Sequence, residues 1–219
     1  MSEAPQQVSK SEMDQAIAEF QESLHDYEQF AEMIEKSISS FKKVSLGNTE
    51  LFDLRIGKRV LKKDLLVKNS GELVPVFSAN VIEPFGYVTD KGYKESQHNS
   101  VLWGIDGNFN FNVIPKGRKY ITTDHCGVID ILNEDILSDY LLFALYDEKR
   151  NNDFDRSFRA SLTNISKFQI RIPIDSKGEF DVKEQKRIAS DYRELRKRKE
   201  RYDNAKATMD NLLLHYTKL

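Results

Sequence analysis

The sequence predicts an α+β protein: one mixed, mostly antiparallel curved-sheet domain flanked by two long heptad-patterned helices that form a coiled coil or helical bundle. Three observations carry this. Apolar residues recur in alternating steps of four and three at both ends of the 219-residue chain. Short runs rich in β-branched and aromatic residues, separated by turn signals, fill the middle. Charge divides the same way: residues 1–42 carry net −6, residues 43–181 net −1 and residues 182–219 net +5, giving the overall −2.

Residues 1–42 read as an acidic heptad helix. Its seam is Met13, Ile17, Phe20, Leu24, Tyr27, Ala31, Ile34, Ile38 and Phe41, a length of roughly 43 Å at the α-helical rise. Residues 182–219 read as a basic helix of roughly 50 Å. Ile188, Leu195, Tyr202, Met209 and Tyr216 form one apolar row, with Tyr192 on the second row beside the polar Gln185, Lys199 and Lys206. Polar seam positions fix register and partner choice at a cost in stability. An acidic and a basic helix of matching period are natural mates, within one chain or between two.

The central residues 43–181 hold the β-rich runs LFDLRI, LVPVFS, GYVT, SVLWGI, FNFNVI, KYITT, VIDIL and FQIRI. Asn69-Ser70-Gly71, Pro84, Asp106-Gly107, Pro115-Lys116-Gly117 and Ser176-Lys177-Gly178 supply the turns between them. One helix interrupts, EDILSDYLLFALYDEKR, with Asn133 as its cap.

Enzyme motifs are missing. GIDGNFN follows a strand but lacks the lysine and helix start of a phosphate loop. Asp124-His125-Cys126 offers metal-ligand types, yet His25, His98 and His215 are scattered and no second pair sits at ligand spacing. Adjacent strand residues also face opposite ways, which argues against a Cys126–His125 dyad. With one cysteine, no internal disulfide forms. A reducing compartment, no signal-peptide core and no apolar window of membrane-spanning length together give a cytoplasmic, non-membrane expectation. No cofactor or metal is expected in this chain.

What remains is four groups of basic and polar side chains. Arg55, Lys58, Arg59, Lys62 and Lys63 form the first. Lys91, Tyr93, Lys94, Gln97 and Asn99 form the second, Lys116, Arg118 and Lys119 the third, and Arg150, Arg156 and Arg159 the fourth. Lysine and arginine neutralise phosphates, and arginine, asparagine and glutamine read base edges in the major groove. Singly, each is also what a solvated surface side chain looks like. Four such groups in a nearly neutral stretch imply that its carboxylates lie elsewhere, leaving one basic face.

Several stretches, taken in order, resemble one half of a type I restriction-modification specificity subunit: one target recognition domain plus its spacer helix. They are LGNTELFDLRIGKRVLKKDL, SGELVPVFSANVIEPFGYV, VLWGIDGNFNFNVIPKGRKYITTDHCGVIDI, DRSFRASLTNISKFQIRIP and the helix start EQKRIA. The resemblance covers about residues 43–217. It implies a non-catalytic subunit that reads double-stranded DNA. It also implies a partner methyltransferase (modification) subunit, which brings S-adenosylmethionine and adenine methylation. Whether a restriction/translocase subunit joins is left open. Arg156 and Arg159 would hold phosphates or a guanine edge. Ala160 and Ser161 would let the backbone turn, and Ser161 would cap the short helix LTNIS.

A full subunit of this family carries two recognition domains, and this sequence shows one. A homodimerising half-subunit would read an interrupted palindrome. Its interface would be the rows Met13, Phe20, Tyr27, Ile34, Phe41 and Ile188, Tyr192, Leu195, Tyr202, Met209, Tyr216. The alternatives are the recognition domain of a methyltransferase fusion, with residues 1–42 as connector, or a coiled-coil adaptor that touches no DNA. Met1 followed by a polar tail favours a free-standing chain.

Overall fold

The computed structural model describes residues 8–37, 40–66, 73–106, 109–150 and 159–216. Arg156 lies outside the described residues, as do Ile38 and the side chains of Arg150 and Tyr216. The chain forms two compact units, Met1–Ser39 with Arg187–Leu219, and Ser40–Lys186.

The first unit is a helical hairpin. Helix α1 spans Lys10–Ser37. Ser9 and Glu12 start it as a capping box: the Ser9 amide donates to the Glu12 carboxylate at 2.8 Å, and the Glu12 amide donates back to Ser9 Oγ at 3.2 Å. Its seam runs against the C-terminal part of a second long helix of the same chain, within Val182–Tyr216. Met13, Ala16 and Ile34 are buried. The expected seam position Phe41 is not on this helix at all. It lies in a strand, 39% exposed. The heptad step happens to continue past the helix end, and the pairing of that strand overrides it.

The second unit begins with β1 (Phe41–Ser45) and β2 (Phe52–Ile56). After a single 3₁₀ turn at Lys62–Asp64 come β3 (Leu73–Phe77), β4 (Gly86–Thr89), β5 (Ser100–Gly104), β6 (Phe111–Ile114), β7 (Ile121–Thr122) and β8 (Cys126–Ile131). Helix α2 (Ser138–Arg150), the short α3 (Leu162–Ile165) and β9 (Gln169–Pro173) follow, then α4 (Val182–Tyr216). The strands form three sheets rather than one: β1-β9, β2-β8-β5-β6 and β4-β3-β7. Every pairing is antiparallel except β3 with β7.

Strand β5 is buried at every position, as a central strand covered on both faces must be. Leu102 joins Phe77, Val81, Ile114, Cys126 and Val128 in one cluster. Alternate residues point the other way, and α2 packs on β5, β6 and β9. Trp103 is fully buried and lies over Gly127 of β8, where a Cβ would collide with its indole ring. Helix α2 starts at Ser138, later than the apolar pattern indicates. Asn133 instead closes a turn, its Oδ1 accepting from the Asp135 amide at 2.8 Å. Gln185, at the start of α4, is buried and ties this turn down, accepting from the Leu137 amide and donating to the Asp135 carbonyl.

Candidate nucleic-acid interface

Strand register decides where the four basic groups go. One end of the four-stranded sheet is marked by Ser100, Ile114 and Ile131; the other by Gly104, Phe111, Cys126 and Ile56. The second and third groups meet at the first end. Ser96 and the 115–118 turn are zipped together: the Ser96 amide donates to the Arg118 carbonyl at 2.9 Å, and the Gly117 amide to the Ser96 carbonyl at 3.0 Å. Asn99 Oδ1 accepts from the Lys116 amide at 3.0 Å. Gly117 takes φ +83°, a conformation that favours glycine. Lys119 Nζ lies 2.6 Å from Asp90, and this contact is the first cause that holds the Asp90 carboxyl below its ordinary range. Lys91, Tyr93, Lys94, Gln97, Lys116 and Arg118 are exposed on this joined loop pair.

The segment of the first group that follows β2 starts at the other end, and of the fourth group Arg159 lies there too, against Asp106 just past β5. The Gly57 amide donates to the Cys126 carbonyl at 3.1 Å and the Lys58 amide to the Thr122 carbonyl at 3.1 Å. That pins the segment bearing Lys58, Arg59, Lys62 and Lys63, all exposed. The β7–β8 turn then touches the β5–β6 turn, since the Ile105 amide donates to the His125 carbonyl at 3.0 Å. Register thus separates Lys58 from the joined loop pair along the sheet.

Arg55 is committed within the sheet. Its guanidinium pairs with Asp130 and donates to Tyr120 Oη at 3.2 Å. Tyr120 O–H donates to Ser100 Oγ at 3.2 Å, and Ser100 O–H to Asp130 at 2.5 Å. The four side chains close a ring, and burial pushes the Tyr120 hydroxyl pKa up. The pattern alone gave no sign of Asp130, which lies 75 residues from its partner.

Arg159 is held from several sides. Trp103 Nε1–H donates to the Ala160 carbonyl at 2.8 Å, and Ala160 is buried. The Arg159 carbonyl accepts from Asn164 Nδ2 at 2.8 Å and from the Ser161 amide at 2.7 Å. Ser161 caps α3, with its side chain accepting from the Asn164 amide at 3.3 Å. The Arg159 guanidinium meets Asp106 at 2.7 Å, and His125 Nδ1 lies 2.5 Å from the same carboxylate. Cys126, next in the chain, is buried, and burial pushes its thiol pKa up to about 12. Among the described residues no group of three or more His, Cys, Asp or Glu side chains is placed to hold a metal ion. No helix among them is long and apolar enough to cross a membrane.

In the hairpin the sequence-predicted seam is occupied within the chain. Tyr202 packs on Phe20 at 5.6 Å and on Tyr27 at 6.1 Å between ring centroids. Arg198 lies 4.2 Å over the Phe30 ring and pairs with Asp26, which Arg201 also approaches at 3.6 Å. Ile188 is buried, and Tyr192, Leu195 and Met209 are half-buried.

Solved structures share this fold. The S subunit of a type I restriction-modification system from M. genitalium matches at TM-score 0.55 and 14% identity, over 94% of this chain and 57% of that one. The HsdS subunit from Thermoanaerobacter tengcongensis matches at 0.58 and 14%, over 94% and 53%. A chain solved for the complex assembly and conformational transition of the type I R-M system matches at 0.57 and 14%, over 93% and 56%. The chain thus spans a little over half the length of these structures. No curated protein shows significant similarity. The family model of the type I restriction modification DNA specificity domain matches residues 39–200, most of the chain, and the protein belongs to that family.

Proposed function

We propose that this chain reads DNA sequence for a type I restriction-modification methyltransferase complex and does no chemistry itself. The observation that supports it most is the specificity-domain match over residues 39–200. The placement of the exposed lysines and arginines fits it. They sit on loops pinned by the sheet, where phosphates can be neutralised and base edges approached. In this reading double-stranded DNA is the ligand, a modification subunit supplies S-adenosylmethionine and the methyl transfer, and the complex works in the cytoplasm. The test is fluorescence anisotropy on duplex DNA across a salt series, with methylation assayed after a modification subunit is added. Steeply salt-dependent binding and partner-dependent adenine methylation are expected. No DNA binding at low salt refutes the reading, as does methyl transfer by the pure chain.

One recognition domain reads one half-site, which discriminates weakly among genomic competitors. We propose that two copies act together and read an interrupted palindrome, gaining effective concentration from their linkage. Helix α4, with 35 residues, is about 52 Å long, more than one DNA turn of about 34 Å. Light scattering on the wild-type chain, alone and with a modification subunit, decides. A monomer at tens of micromolar in both cases excludes the dimer.

A further inference from the structure

The Asp106 carboxylate lies just past the end of β5 and gathers groups from two other segments. Arg159 reaches it at 2.7 and 2.8 Å, through one terminal nitrogen to both oxygens, and His125 at 2.5 Å. Arg159 stays 54% exposed, with its other terminal nitrogen facing no partner among the described residues. Phe109, leading into β6, takes φ 44° and is buried edge-on against Phe111, 4.9 Å away, and Phe168, 6.1 Å away. The Arg159 backbone is fixed by Asn164, Ser161 and, through Ala160, Trp103.

A lone exposed ion pair contributes little to stability, so stability is a poor reason for this arrangement. Geometry gives a better one. Arginine reads guanine by placing two N–H donors on O6 and N7, and the penalty for such reading is the rotamer freedom lost on binding. Asp106 removes that freedom beforehand. It also argues against phosphate as the ligand of Arg159. The hydrogen bond from His125, then the nearby Arg159, hold the Asp106 carboxyl below its ordinary pKa, so it is an anion at neutral pH. An anion beside Arg159 cancels its charge and repels a phosphate. A guanine edge is a neutral pair of acceptors that asks for directed donors, not net charge.

We infer that Asp106 is a positioning residue that fixes Arg159 to read one guanine of the target. This rests on the DNA-reading function proposed above, and the test separates the two. The full-length wild-type chain and the variants Asp106→Ala, Asp106→Asn and Arg159→Lys are used to select from a randomised duplex library. Thermal melts confirm that each variant folds. The wild type is expected to enrich a motif containing a guanine whose preference falls about tenfold or more in all three variants. Other positions and the salt slope should stay as they were. Arg159→Lys is the sharpest arm, because it keeps the charge and loses the fork. Full guanine preference in Arg159→Lys overturns the inference. So does an Asp106 variant that binds every duplex tighter by the same factor, the mark of a simple electrostatic brake. A wild type that enriches nothing overturns the recognition function itself, and this inference with it.

Discussion

Tyr202 of α4 stacks on Tyr27 of α1, with the rings 16° from parallel and 6.1 Å apart. The seam that the heptads announce is thus closed inside one chain. Tyr202→Ala is expected to cost about 2 kcal/mol, from lost packing plus the aromatic pairing. Urea unfolding monitored by far-UV circular dichroism measures it. Pairing the substitution with Tyr27→Ala should give clearly less than the sum of the single losses; strict additivity would mean that the rings do not interact.

Trp103→Phe keeps most of the ring volume and removes the donor to the Ala160 carbonyl. A buried acceptor left unpaired costs about 1–3 kcal/mol. The loss should appear in chemical denaturation, together with weaker selection by the Arg159 segment. Trp103 is the one tryptophan of the chain, so wild-type fluorescence should shift to the red when this core opens. A Trp103→Phe variant as stable as wild type removes the anchoring role.

Cys126 provides a chemical probe. Its thiol is pushed up to about 12 from an ordinary 9.0 by burial. The folded thiol stays protonated while the unfolded one ionises. Its contribution to stability is full below pH 9.0 and declines as pH rises from there towards 12. At pH 8 a disulfide reagent should react with the native protein only as fast as it opens, and at once in denaturant. Rapid native labelling would contradict the burial.

Lys58, Arg59 and Lys62 are exposed and carry no ion pair among the described residues. Changing all three to alanine should leave the melting temperature in place and weaken DNA binding alike on every sequence. Each lost phosphate contact should reduce the salt slope by about 0.9. Measuring anisotropy over a potassium chloride series tests this; an unchanged slope takes this segment off the DNA.

Strand positions were legible because β-branched and aromatic runs bounded by turn residues leave a local trace. Runs such as SVLWGI and VIDIL became β5 and β8. Strand β1 was hidden because Phe41 continues the heptad step and Lys42-Lys43 suits a helix as well as an edge strand. Its strand character comes from β9, over 120 residues away. The α1–α4 contact was legible from matched period and opposite charge, but period does not say whether the mate is in the same chain. Among the candidate site residues, Arg159 stood out by its sequence. Asp106 did not, because an acidic residue in a turn is ordinary until the fold brings His125 and Arg159 to it. Arg55 stood out as a basic side chain; its pairing with Asp130 did not.

The pairing of β1 with β9, Phe41 opposite Pro173 through Ser45 opposite Gln169, has a consequence for inheritance. The strand by which the chain enters the domain lies beside the last strand before it leaves. A segment with neighbouring ends is a cassette. It can be cut from a gene near codons 40 and 186 and replaced by another with the same closing ladder. A new target could then arise by one exchange of DNA, without waiting for loops to be rebuilt one substitution at a time.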